Sequence, residues 1–433
     1  MITLTLAALA LILLVAFLLK EVWRPANYPP GKSLFPFSIR YDLILGITFT
    51  DGEFWNEQRS FVTRHLRQAG YGRQKMHAQI QTELNELLDV LENRMEQPIW
   101  PGSILAISVI NVLWTIVTGS RVPREDDRLQ RLLLLLHERT KAFDMSGGTL
   151  NQLPWLRFIA PEWSGYNLLR RFNKQLTEFF TPTIEQHHEN FSDDKAVDDL
   201  IYAYIKKMRD RKDSNFTDVQ LTMIILDLFI AGGHTTSTTI DLALMMMLVR
   251  PDLQTKIHSE IDTALRHDAV PHYDDHHKLP YVEAFLLEVH RFFSIAPVSG
   301  PRRALADCTL GGYRVPKNTT VLYGLRNVHM DPEHWGDPEV FRPERFLGEE
   351  RQIVNTERLF AFGQGKRRCL GETLARSCLF TIFVGVMQRY SLVKPEDEGQ
   401  ESDMAPSLTL RPGITLSAKP YNVVFKRRKQ ADF

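Results

Sequence analysis

The chain has 433 residues, 44% of them apolar and 24% charged, enough for a sizeable core and too apolar for extended disorder. Its 52 basic and 52 acidic side chains cancel, and no basic stripe interleaved with aromatics occurs, which argues against nucleic acid as a partner. The three cysteines, Cys308, Cys369 and Cys378, form neither a disulfide framework nor a CxxC pair, as in a reducing compartment.

Residues Ile2 to Leu19 carry no charge and are long enough to cross a bilayer. Lys20, Glu21 and Arg24 follow at once, which predicts a transmembrane signal anchor over residues 1–20 and a cytosolic body. A cleaved signal peptide would want a basic region ahead of the apolar run, and none is present. Residues 21–37 hold Tyr28-Pro29-Pro30-Gly31-Lys32, a stiff proline-rich hinge that cannot continue a helix. No Gly/Ser linker, repeat or low-complexity tract interrupts the remainder, so residues 38–433 are expected to form one large domain.

From Gly52 to about Pro271 apolar residues return every three or four positions and predict a helical body. Gln79 to Met95 and Asp198 to Arg211 are the plainest amphipathic stretches, with Pro101-Gly102 and Ser146-Gly147-Gly148 as breaks. Near its start, Trp55 and Arg59 stand one turn apart in W-x-x-x-R, an indole donor and a guanidinium that both suit a carboxylate. The segment Leu153-Pro154-Trp155-Leu156-Arg157-Phe158-Ile159-Ala160-Pro161 reads two ways: as a loop packed in the core, or as one that dips into lipid. His187-His188 and the group His272, His276 and His277 lack zinc-ligand spacing and read as solvated.

The longest helix is predicted from an N-cap at Thr217 to Arg250, where Pro251 stops it. Inside it lies Ala231-Gly232-Gly233-His234-Thr235-Thr236. Each glycine costs a helix interior about 0.5–1 kcal/mol, so the pair predicts a place where something flat approaches the backbone, with a local kink. The Thr235 hydroxyl can bond back into its helix or turn toward a ligand. Strand-like material comes only late, at Thr309 to Pro316, Thr319 to Tyr323, Leu408 to Leu410 and Thr415 to Ala418. The fold class is therefore mainly α with small β sheets.

Two late motifs carry the rest. Glu288-Val289-His290-Arg291 gives E-x-x-R, an acid and a base that can pair on one helical face, and Pro343-Glu344-Arg345-Phe346 follows downstream. The decapeptide Phe362-Gly363-Gln364-Gly365-Lys366-Arg367-Arg368-Cys369-Leu370-Gly371 reads F-x-x-G-x-R-x-C-x-G and runs into a helical pattern. Three cations and a helix N-terminus beside one thiol predict a thiolate, the anion that haem iron takes as an axial ligand for O–O cleavage.

On these motifs the chain resembles the cytochrome P450 family, its animal microsomal class and most of all the insect members. The resemblance implies a P450 fold, a haem b held by Cys369, Trp55, Arg59, Arg302 and Arg367, and an oxygen-activating Thr235. Glu288, Arg291 and Arg345 would support the pocket, and Ile230, Ala231, Ile295, Ala296, Pro297 and Val298 would line it. It further implies NADPH electrons from a P450 reductase docking near Lys366 and Arg368, cytochrome b5 as a second donor, and an endoplasmic reticulum membrane location. His234 stands where the family has an acid; it is read either as a proton shuttle or as a neutral hydrogen-bonding residue. The segment the family carries between the proline hinge and Trp55, with most of its main sheet, is missing, so unpaired strand edges are expected. Insertion of one oxygen atom into a small hydrophobic substrate is the leading function. Alternatives are a haem-thiolate isomerase or dehydratase, motivated by His234, and an inactive haem-binding product, motivated by the missing segment.

Overall fold

The computed structural model describes residues 45–142, 150, 153, 155–192, 194, 198–210, 215–266, 269–396, 404–413 and 415–428. The anchor over 1–20, the hinge over 21–37 and the Ser146-Gly147-Gly148 break lie outside the described residues.

The body is helical as its periodicity predicts: α1 (Gly52–Gln68), α2 (Gln74–Glu92), α3 (Gly102–Thr118), α4 (Asp127–Ala142), α5 (Tyr166–Glu189), α6 (Leu200–Asp210), α7 (Asp218–Val249), α8 (Pro251–Ala264), α9 (Pro280–Phe293) and α10 (Glu372–Arg389). Thr217 caps α7 by accepting the Gln220 N–H, and Pro251 opens α8. α3 is apolar on nearly all sides and buried from Leu105 onward except at Ala106 and Ile107, as is α10 over most of its length. With α2 and α7 they form the core bundle, in which α7 lies along α3. α7 is long and apolar enough to cross a membrane by length and composition, but half of its most apolar stretch is buried in the protein as the central core element.

The glycines of α7 serve that packing. A Cβ on Gly232 would stand 2.6 Å from Leu113 Cδ2, and one on Gly233 would stand 2.7 Å from Ile110 Cδ1. The close approach expected of a flat ligand is thus made by α3, and α7 runs unbroken through the motif.

Strands pair antiparallel, two by two among the described residues: β1 (Arg302–Arg303) with β4 (Thr320–Val321), β2 (Cys308–Leu310) with β3 (Tyr313–Val315), and β5 (Tyr390–Val393) with β6 (Val424–Arg427). Leu305, Leu310 and Leu322 are exposed in and beside the first two pairs. Leu408 to Leu410 and Thr415 to Ala418, expected as strands, yield only a single bridge between Arg411 and Ser417. The longest pair, β5 with β6, escapes the sequence because Tyr390 follows α10 without a break.

The aromatic segment is not a core loop. Trp155, Phe158, Ile159 and Trp163 are 52%, 75%, 74% and 73% exposed, and Leu156 alone among the large apolar residues there turns inward. His187 and His188 are not merely solvated: their Nε2 atoms lie 3.3 Å from Asp199 Oδ2 and 2.7 Å from Asp218 Oδ1, tying α5 to its neighbours. His272, His276 and His277 sit at a short 3₁₀ turn, and no three-ligand metal group exists among the described residues.

Candidate active site

The cysteine loop bends where glycine permits it: Gly363 and Gly365 have φ of 70° and 72°, in the left-handed region. The Cys369 N–H closes the loop on the Phe362 carbonyl at 2.9 Å, and α10 starts at Glu372. Cys369 has accessible surface on one side and dense protein on the other. Desolvation is the largest influence on the thiol and pushes its pKa up, while the Gly371 N–H and the Arg59 and Arg368 guanidiniums pull it down. The expectation of a resting thiolate is therefore corrected. Arg368 is held by Glu372 at 2.6 and 2.8 Å, so much of its charge is cancelled, and Glu372 itself raises the thiol.

Around Trp55 the guanidiniums converge. Arg367 stacks over the indole ring at 3.8 Å and donates to the Thr50 carbonyl; Arg59 lies 5.6 Å from the same ring and donates to the Arg368 carbonyl. Burial lowers the pKa of both, and the charge of Arg302 lowers each further. Asp51, an acid whose charge acts on Arg367, is taken by Arg303 through two bonds of 2.6 Å. Trp55 is buried, and among the described residues its Nε1–H has no hydrogen-bond partner. Three mutually repelling cations and an orphaned N–H are a donor set that lacks its anion, and the two carboxylates of haem fit that requirement. Among the described residues the Arg302 guanidinium makes one hydrogen bond, to its neighbour's carbonyl at 3.5 Å.

On α7, Ala231 and Thr235 share the face turned away from the glycine contact, one turn apart. Ala231 is exposed, and Ile230, His234 and Thr235 are half-buried in a helix otherwise largely enclosed. The Thr235 hydroxyl donates to the Ala231 carbonyl at 2.7 Å, and Ser237 and Thr239 repeat the back-bond to Gly233 and Thr235. Ile295, Ala296, Pro297 and Val298, directly after α9, keep accessible surface as well.

Glu288, Arg291 and Arg345 come together in the interior. Arg291 meets the Glu288 carboxylate at 2.7 and 2.8 Å, Arg345 adds 3.1 Å, and the Arg342 N–H a fourth bond at 2.8 Å. The remaining guanidinium hydrogens go to the carbonyls of His329, Pro338, Trp335 and Val340, and Arg345 also reaches the Asp337 carboxylate at 3.2 Å. A cluster of one acid and two bases is thereby satisfied although its side chains are at most 4% exposed. Several residues here were not singled out from the sequence. The Arg376 guanidinium covers Phe362 at 5.0 Å, and the ring of buried His290 meets Phe362 edge-on at 5.1 Å. Burial drives the pKa of His290 down to about 3, so it is neutral. Arg376 stands seven places after Cys369 on α10, a position whose significance only the fold reveals.

A helical body that backs a glycine-bent cysteine loop with a buried acid–arginine cluster, and gathers arginines around an indole, has the donor set of a haem-binding protein. The Cytochrome P450 family model matches residues 18–425. A fruit fly protein, probable cytochrome P450 305a1 of Drosophila melanogaster, is 48% identical over 393 residues, covering 88% of this chain and 77% of the relative. Farnesoate epoxidase of Bombyx mori is 37% identical over 385 residues, covering 89% and 77%, and human cytochrome P450 2U1 is 33% identical over 389 residues, covering 88% and 70%. The chain belongs to the cytochrome P450 family and is a monooxygenase of that family, most similar among these to the insect members.

Proposed function

We propose that the chain inserts one oxygen atom of dioxygen into a small hydrophobic substrate, with electrons from NADPH delivered by a membrane-bound P450 reductase and by cytochrome b5. The observation that carries this reading is the cysteine loop and the arginine–indole cluster side by side: a sulfur donor, and a donor set for two carboxylates. Bound there, haem supplies the oxygen activation, one oxygen atom going to substrate and the other leaving as water. The sulfur comes from Cys369, with the Gly371 N–H available to its charge. Trp55, Arg59, Arg302 and Arg367 hold the carboxylates. The Thr235 hydroxyl, now spent on the Ala231 carbonyl, is one rotamer change from donating outward, and His234 beside it serves either as a proton shuttle or as a neutral hydrogen-bonding residue. Ile230, Ala231, Ile295, Ala296, Pro297 and Val298 supply an apolar wall that favours greasy molecules.

For the reductase, Lys366 offers an exposed cation, whereas Arg368 offers one already paired with Glu372. The anchor over residues 1–20 and the exposed Trp155, Phe158, Ile159 and Trp163 support attachment to the endoplasmic reticulum membrane with the body in the cytosol. The silkworm relative's name makes farnesoate the first probe to try. The full chain in membranes with reductase and NADPH should oxidise that probe or another small apolar acid, and turnover should stop without reductase. Turnover that persists without reductase or NADPH would instead favour the isomerase or dehydratase alternative.

A further inference from the structure

A polar chain of atoms runs from the Glu288 cluster to the cysteine loop. His329 ends the short helix Leu325–His329 and is 1% exposed. Its carbonyl accepts from Arg291 Nη1 at 2.8 Å. Its ring makes two more bonds: the Phe360 N–H reaches Nε2 at 2.9 Å, and Nδ1 lies 2.8 Å from Ser294 Oγ. Ser294 Oγ in turn lies 2.7 Å from the Arg291 carbonyl.

The donors fix the tautomer. A backbone N–H can only donate, so Nε2 carries no proton; a carbonyl can only accept, so the Ser294 hydrogen points to Arg291. The Nδ1–H must then donate to Ser294 Oγ. Every group in the chain is satisfied, in one direction, by a neutral ring. Burial, with the charges of Arg291 and Arg326, lowers the His329 pKa to about 4 and keeps it neutral. Ser294 closes α9 at φ 41°, a left-handed conformation uncommon outside glycine, which brings its hydroxyl between the two partners. At the other end, the Phe360 carbonyl accepts the Gly363 N–H at 2.8 Å, and Phe362, two residues on, accepts the Cys369 N–H.

We propose that His329 is a positioning residue: through Phe360 it holds the start of the cysteine loop in register with the Glu288–Arg291 pair, and so sets where Cys369 Sγ stands. The consequence for haem ligation rests on the reading under Proposed function; the hold on the loop does not. A leucine at 329 keeps apolar volume and loses both ring bonds. A glutamine keeps them in kind, its carbonyl accepting from Phe360 and its amide donating to Ser294.

Full-length His329→Leu, His329→Gln and Ser294→Ala, expressed with haem supplied, are compared by amide hydrogen exchange at residues 355–363 and by the reduced carbon monoxide spectrum. In the leucine variant, exchange at Phe360 should rise about tenfold or more, with α3 unchanged, and the thiolate-ligated fraction should fall. The glutamine variant should stay within about threefold of the parent, and Ser294→Ala should lie between the two. Unchanged exchange at Phe360 in the leucine variant, or equal losses with leucine and glutamine, overturns the proposal. If the leucine variant loses its far-UV helical signal, Ser294→Ala decides, and unchanged exchange there overturns it. A parent protein without haem would sink the ligation reading, while the exchange comparison would still decide the hold on the loop.

Discussion

Glu288→Gln is the sharpest perturbation of the haem support. The carboxylate accepts four bonds, from Arg291 twice, Arg345 once and the Arg342 N–H once, and it is fully enclosed. Glutamine keeps the shape but removes the carboxylate that Arg291 and Arg345 share, leaving Arg345 with Asp337 Oδ1 at 3.2 Å and Arg291 with backbone carbonyls. It also places an amide donor against a donor. Removing one partner of such a buried group costs about 3–5 kcal/mol. With an unfolding entropy of about 2.1 cal/mol/K per residue, 433 residues give about 0.9 kcal/mol/K, so a loss of about 4 kcal/mol lowers the melting midpoint by about 4–5 °C. Far-UV circular dichroism melts of the full chain in detergent measure this. Arg345→Met should recover part of the loss in the Glu288→Gln background, because it removes a buried cation that has lost one of its two carboxylate partners, giving a coupling of about 1 kcal/mol or more. A midpoint within about 1 °C of the parent, or strictly additive losses, would refute the reasoning that this cluster is charge-paired and load-sharing.

Arg367→Met removes the cation stacked on Trp55 and should speed haem transfer to an apomyoglobin acceptor about tenfold or more, with Trp55→Phe giving a smaller increase. Asp241 is buried on α7 and accepts from the Tyr421 hydroxyl at 2.9 Å, and burial raises its pKa to about 7. The folded state therefore binds a proton that the unfolded chain releases above about pH 4, so this residue's contribution falls as pH rises from about 4 to 7 and stays low above that. Asp241→Asn, which is neutral at every pH, should flatten that slope; an unchanged pH profile would count against it. Asn318-Thr319-Thr320 is an N-x-T acceptor in an exposed turn. A cytosolic body should leave it unmodified in insect cells, and a gel shift on glycosidase treatment that Asn318→Gln abolishes would contradict the orientation.

Helices were legible where a face repeats: Thr217 and Pro251 bracket α7 as read from the sequence. β5 was not, since Tyr390 continues α10 without a turn residue and its partner lies at Val424–Arg427. Gly232 and Gly233 announce a close approach but not its side, which belongs to Leu113 and Ile110. The cations around Cys369 suggest a strong field; the fold spends Arg368 on Glu372 and turns Arg367 to Trp55. His329 had no signal at all, because Phe360 and Ser294 stand 31 and 35 residues away and only the tertiary fold brings the three together.

The absorbance of the reduced, carbon monoxide-bound full-length protein is the most direct measurement. A Soret band at the position of thiolate-ligated haem that disappears in Cys369→Ala is the predicted result. A nitrogen-ligated spectrum in the parent, a thiolate band that survives Cys369→Ala, or no bound haem with Cys369 intact would contradict the account.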